Sequence, residues 1–173
     1  AARAYSAAAY HAASAGVILF GGNDGSTPRL SDTQTWNGTL WAAQAPATVP
    51  TARDGHCIAE ADAGDLFMFG GETGAGLVDE LYSWDAADWT LEAPATTTPA
   101  ARRDAGIVNA PTAALIWMYG GKLAGGGDSA VWAWDGSDWS SIEPTYTPPD
   151  RYKHASWYDP TREGLIVAYG LDP

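Results

Sequence analysis

The residues best suited to chemistry in this sequence are three histidines and a single cysteine, and two of these are adjacent. His56 followed by Cys57 has the makings of a thiolate–imidazole pair, in which the imidazole would activate the sulfur as a nucleophile. If this segment is a β-strand, however, neighbouring side chains point to opposite faces and cannot share a hydrogen bond. We therefore expect Cys57 to be a small buried hydrophobe and His56 to belong to the scaffold.

Motifs for other chemistries are missing from the sequence. A lone cysteine with scattered histidines gives no zinc-ligand spacing, and neither a nucleophile elbow nor a phosphate-binding glycine loop occurs. The triplet Asn37-Gly38-Thr39 matches the glycosylation sequon, but Asn-Gly is equally the signature of a tight hairpin turn. We assign no catalytic residue, cofactor or metal ligand and expect a non-enzymatic protein.

The charge balance excludes whole classes of partner. The 173 residues contain Lys+Arg 9 against Asp+Glu 21, a formal net charge of -12 at pH 7, and the lysines are Lys122 and Lys153 alone. An acidic surface without a basic patch repels nucleic acid and anionic lipid. No apolar run approaches the length needed to cross a bilayer. We therefore expect neither nucleic-acid binding nor membrane insertion.

An internal repeat organises the chain. A hydrophobic strand that ends in two glycines occurs three times, about 50 residues apart, at Gly21-Gly22, Gly70-Gly71 and Gly120-Gly121. A degraded fourth copy aligns Gly170 with the first glycine of the other copies. Glycine at such a point indicates positive φ and close backbone approach.

Two other markers keep the same spacing. An arginine recurs near the start of each unit, and the aligned positions are Arg3, Arg53, Arg103 and Arg151. Tryptophan pairs with four intervening residues recur near the end of a unit, as Trp36 and Trp41, Trp84 and Trp89, and Trp134 and Trp139. Independent markers with one period indicate a repeated supersecondary unit.

Each unit is predicted to contain four short antiparallel strands and no helix. The double glycine after the second strand and the tryptophan pair around the last hairpin resemble kelch repeats, in particular bacterial kelch-type sequences. The resemblance implies an all-β fold, a kelch-type β-propeller in which every repeat is one blade. Residues 1–173 would form one partial domain, with blades at about 1–50, 51–100 and 101–150 and a two-stranded half blade at 151–173.

The repeat assigns the tryptophan pairs to the contacts between blades, where we expect all of them to be buried. Arg53-Asp54 and Arg103-Asp104 are interpreted as equivalent positions that form ion pairs between blades. Three and a half blades are fewer than a closed propeller contains. We therefore expect a second copy or another chain to complete the ring.

The loops after the second strand of each unit vary most, and binding residues concentrate in loops held by a rigid frame. Candidate partner-binding residues on this face are Asn23, Asp24, Arg29, Glu72, Lys122 and Asp128. The favoured function is a structural or interaction platform in a secreted, cell-surface or virion assembly. A carbohydrate-binding or carbohydrate-active propeller fragment is the alternative. The absent initiator methionine, the few lysines and the bacterial kelch likeness favour an extracellular or surface-exposed protein.

Overall fold

The computed structural model describes residues 2–25, 29–61, 64–111, 116–146 and 148–172. All regular elements in these ranges are β-strands, and they contain no helix of the length and apolarity that a membrane span requires. Three four-stranded antiparallel sheets and a two-stranded sheet follow one another along the chain. The predicted fold class, all-β with three complete blades and a half blade, is confirmed.

Each sheet is one blade. The first blade contains β1 (Ala7–His11), β2 (Gly16–Gly22), β3 (Leu30–Trp36) and β4 (Trp41–Ala43). The second contains β5 (Cys57–Glu60), β6 (Leu66–Phe69), the ribbon β7 (Glu72–Thr73) and β8 (Gly76–Leu77), β9 (Leu81–Trp84) and β10 (Trp89–Leu91). The third contains β11 (Gly106–Asn109), β12 (Ile116–Tyr119), the ribbon β13 (Lys122–Leu123) and β14 (Gly126–Gly127), β15 (Val131–Trp134) and β16 (Trp139–Ile142). The half blade contains β17 (Ala155–Asp159) and β18 (Gly164–Ala168).

The double glycine marks the place where the next blade makes its closest approach. Gly70 has φ 69°, and a Cβ atom built on it would lie 2.5 Å from the carbonyl oxygen of Arg102 in the third blade. The amide of Gly71 donates a hydrogen bond to that carbonyl at 2.8 Å. Any side chain at position 70 would therefore push two blades apart.

The framework arginine of each blade ties its inner end to the double glycine. Arg53 is fully buried, and its Nη1 donates to the carbonyl of Gly70 at 3.1 Å. In the third blade the equivalent bond runs from Arg102 to the carbonyl of Gly120 at 2.9 Å. The sequence alignment, which used Arg103, is therefore wrong by one position. Adjacent arginines look alike in sequence, and only packing decides which one turns inward.

The half blade is shifted in the same way. Arg151 donates to the carbonyl of Tyr169 at 2.8 Å, so Tyr169 rather than Gly170 takes the place of the first glycine. Tyr169 has the φ of that position, 61°, and its side chain is 88% exposed. At the equivalent glycines of the complete blades, an added Cβ atom would collide with the carbonyl oxygen of the framework arginine in the next blade. Tyr169 carries such a Cβ atom and therefore obstructs the docking of a further blade in the same register.

Two tryptophan pairs form the contacts between blades. Trp84, Trp89, Trp134 and Trp139 are each 1–2% exposed. Trp89 packs edge-on against Phe20 of the first blade, with ring centroids 5.5 Å apart, and its Nε1 donates to Thr33 Oγ1 at 2.9 Å. Each pair thus packs against the preceding blade, which confirms the prediction for these four residues.

The first pair does not follow this pattern. Trp36 is half-buried and Trp41 is 47% exposed, although their ring centroids lie 5.6 Å apart, close to the 5.2 and 5.6 Å of the other pairs. Within the described residues no blade precedes the first one, so the surface against which this pair would pack is missing. The prediction that Trp36 and Trp41 are buried is wrong for this reason.

Candidate functional site

A chain of backbone hydrogen bonds joins consecutive blades, and we call its residues the inner rim. The amide of Gly55 donates to the carbonyl of Tyr5 at 2.8 Å, that of Asp104 to Gly55 at 2.7 Å, and that of Lys153 to Asp104 at 2.9 Å. All four rim residues have φ between 54° and 64°. Only glycine adopts this conformation without a steric cost, and strained non-glycine residues concentrate at functional sites.

A cleft of about 840 Å³ opens over the inner rim, and we call it the rim cleft. Its polar and charged lining residues are Tyr5, Asn23, Arg29, Asp54, Glu72, Arg103, Asp104, Lys122, Tyr152 and Lys153. The β7–β8 and β13–β14 ribbons add the apolar side chains of Leu77 and Leu123. The cleft therefore combines charge with apolar contact area, as protein-binding surfaces do.

Arginines pair with every carboxylate of the cleft. Asp54 is 4% exposed and lies between Arg29 Nε at 2.8 Å and Arg103 Nη2 at 3.0 Å. Glu72 also bridges these arginines, with Arg29 Nη2 3.1 Å from its Oε1. Arg103 Nε lies 3.0 Å from Asp104. The network links the first three blades, so ion pairs between blades are present. The predicted equivalence of Arg103-Asp104 with Arg53-Asp54 is nevertheless wrong, because Arg103 takes the place of Asp54 in its blade.

The lysines of the cleft lie over aromatic rings. Lys153 Nζ is 5.0 Å from the centroid of Tyr5, and Lys122 Nζ is 5.5 Å from that of Tyr152. Such cation–π contacts leave the outer side of an ammonium group free to bind an anion. Among the described residues neither lysine has a carboxylate within 4.0 Å. Four cations face three carboxylates here, although the whole chain carries a net charge of -12.

The structure brings together four of the six residues predicted to bind a partner. Asn23, Arg29, Glu72 and Lys122 all line the rim cleft, although residues 26–28 of the first loop lie outside the described part. Asp24 is exposed next to Asn23 but does not line the cleft. Asp128 lies elsewhere, in an ion pair with the buried Arg102 at 2.7 Å.

The inner rim itself was not predicted from the sequence. Tyr5, Asp104 and Lys153 differ in type, so their common role is invisible unless the repeats are aligned on the correct arginine. With Arg102 as the framework residue, each rim position comes two residues after an arginine. The inner rim is therefore identified in the sequence by its distance from the framework arginine and not by residue type.

The histidine–cysteine pair contributes no chemistry to the cleft. His56 packs edge-on against Phe20 in the first blade, whereas Cys57 joins the core shared with the third blade. Burial, together with the charge of Arg53, lowers the pKa of His56 to about 3, and burial raises the pKa of Cys57 to about 12. In the described residues, no three His, Cys, Asp or Glu side chains are grouped to hold a metal ion.

Comparison with known protein families identifies the repeat. The KLHDC2/KLHL20/DRC7 Kelch-repeats domain matches residues 1–170, nearly the full length of the chain. No curated protein matches the chain.

Proposed function

Because this chain belongs to the kelch-repeat family, we propose that it is a protein-interaction module that binds its partner in the rim cleft. Kelch repeats generally mediate protein–protein interaction, and kelch-repeat domains are typically non-enzymatic. The rim cleft gathers segments of three blades and the half blade, strained backbone, and two lysines without carboxylate partners in one place. Partner binding without turnover is the use that this combination supports best.

The charges of the cleft indicate the chemistry of the partner. Since Arg29 and Arg103 are already paired with the three carboxylates, Lys122 and Lys153 are the cations that remain available to a partner. An acidic peptide segment would pair with both ammonium groups and lay apolar side chains against Leu77 and Leu123. The availability of the two lysines is the single observation that carries this proposal.

A carbohydrate ligand has less support. Sugar rings stack on free aromatic faces, whereas in the cleft cationic groups already lie over the rings of Tyr5 and Tyr152. We keep an extracellular or surface-exposed location as a further proposal, supported by the low lysine content alone.

Selection of binders from a random peptide library tests the proposal. We expect the selected peptides to be rich in Asp and Glu, and we expect Lys122→Glu or Lys153→Glu to weaken their binding by about tenfold or more in fluorescence anisotropy. Arg162→Glu makes the same change of net charge at an exposed turn outside the cleft and should leave binding intact. Selected peptides without acidic enrichment, or equal affinity for all three variants, would refute an acidic partner.

A further inference from the structure

The hairpin turn between β3 and β4 places an asparagine directly before a glycine, outside the rim cleft. Asn37, Gly38 and Thr39 are all exposed. The amide nitrogen of the residue after an asparagine can attack the asparagine side chain, and glycine at that place carries no side chain to hinder the attack. The turn is therefore a candidate site of covalent modification.

Two backbone amides hold the side-chain carbonyl of Asn37. The amides of Thr39 and Leu40 donate to its Oδ1 at 2.9 and 3.1 Å. These bonds fold the side chain back over the peptide group of Gly38, as in other turns that begin with asparagine. Attack on Cγ would move negative charge onto Oδ1, and two amide donors aimed at such an oxygen are the arrangement by which enzymes stabilise acyl transfer. The turn thus activates its own asparagine as an electrophile.

The attacking nitrogen and the leaving group have no competing contacts. Within the described residues, neither the Gly38 amide nor the Nδ2 group of Asn37 takes part in a hydrogen bond. A Cβ atom built on Gly38 would meet no atom within 4 Å. The open space leaves room for a tetrahedral intermediate and for the water molecules that carry protons to and from it.

The corresponding turns of the other blades carry aspartate, the acid that Asn37 would become on losing its amide nitrogen. In the second blade Asp85 takes the place of Asn37, and its Oδ1 accepts two backbone amides at 2.9 and 2.8 Å. Asp135 does the same in the third blade, at 2.8 and 2.9 Å. An aspartate at position 37 would therefore keep the hydrogen bonds of the turn.

The same hydrogen bonds make the aspartate form unreactive. The amide of Asp138, together with the amide and hydroxyl of Ser137, donates to the Asp135 carboxylate and holds the pKa of that group below its ordinary value. The group is therefore ionised at neutral pH, and an ionised carboxylate is a poor electrophile because attack would place a second negative charge on it. Asn37 has a neutral amide at the same place, so the reaction proceeds there and stops once the acid has formed.

We propose that Asn37 of the folded protein deamidates through a cyclic imide, without an enzyme, and so converts the first hairpin turn into the acidic form found in the other blades. The Gly38 nitrogen bonds to Asn37 Cγ, the Cγ–Nδ2 bond breaks, and Nδ2 leaves as ammonia with the proton of the Gly38 amide. Water then opens the imide to aspartate or, by attack at the main-chain carbonyl, to isoaspartate. Either product adds a negative charge to the turn. The reaction does not depend on partner binding in the rim cleft.

Storage of the purified chain at mildly alkaline pH tests the proposal, with mass spectrometry as the measurement. We expect a gain of about 1 Da, the difference between an amide and an acid, and peptide mapping should place it at Asn37. Asn23-Asp24 and Asn109-Ala110 are internal controls, since a residue with a side chain follows each asparagine. They should react at least about tenfold more slowly.

Gly38→Ala is the matched variant, because Ala86 occupies the equivalent place of the second blade with a φ of 84° and the turn there has the same hydrogen bonds. The added methyl group should slow the loss of ammonia at least about tenfold. Thr39→Ala removes the glycosylation sequon but keeps the amide donor, so it should deamidate at the parent rate. Asn37→Asp should show the melting temperature of the parent protein, since the turn accepts aspartate.

Three results would overturn the proposal. They are an unchanged mass after storage, equal reaction at all three asparagines, and a Gly38→Ala variant that reacts as fast as the parent. The first two are measured on the unaltered protein, so the test holds even if a variant fails to fold.

Discussion

Replacing Trp89 with alanine is expected to lower the free energy of unfolding by about 3–5 kcal/mol, the range for truncating a buried aromatic residue. The indole is 1% exposed, packs on Phe20 and donates to Thr33, so its removal leaves both a cavity and an unpaired hydroxyl between two blades. Urea-induced unfolding followed by circular dichroism measures the change.

Trp41→Ala provides the matched control, because Trp41 has the same place in its hairpin but is 47% exposed. Its loss should be about 1 kcal/mol or less. Equal losses for the two variants would contradict the conclusion that each tryptophan pair packs against the preceding blade.

Acid should destabilise the protein before its carboxylates titrate, because His56 is buried in its neutral form. The unfolded chain takes up a proton near pH 6.5, whereas burial and Arg53 hold the pKa of folded His56 at about 3. The stability from neutral His56 is therefore present above pH 6.5 and is lost as the pH falls toward 3. Within this window, the titration of His56 should lower the free energy of unfolding by up to about 1.4 kcal/mol for each unit by which the pH falls.

His56→Ala separates this contribution from other acid effects, since Ala105 stands at the equivalent position of the third blade. The variant should be less stable at pH 7 but show a flatter dependence of unfolding free energy on pH between 6.5 and 4. Parallel pH profiles for variant and parent protein would show that His56 does not titrate as the structure implies.

The sequence predicted those features that repeat in residue type. Double glycines and tryptophan pairs recur in the sequence of each complete unit, because close approach of two backbones requires glycine and a large buried contact area requires a large aromatic side chain. The exposure of Trp41 was unpredictable from its type, since it depends on whether a neighbouring blade is present.

The candidate site was predicted only in part, for a different physical reason. Arg29, Glu72 and Lys122 were identified because the loops after second strands vary. Tyr5 and Lys153 were missed because the inner rim is built from backbone hydrogen bonds and positive φ, which unlike residues can share. A one-residue choice between Arg102 and Arg103 concealed the equivalence of Asp104 with these residues.

Backbone amide chemical-shift mapping with a selected acidic peptide tests most directly whether the partner binds in the rim cleft. We expect the largest shifts at Tyr5, Asp104, Lys122 and Lys153, which line the cleft, with little change at the outer hairpin turns. Largest shifts at those turns, such as the one that begins at Asp135, would show that the partner binds outside the cleft.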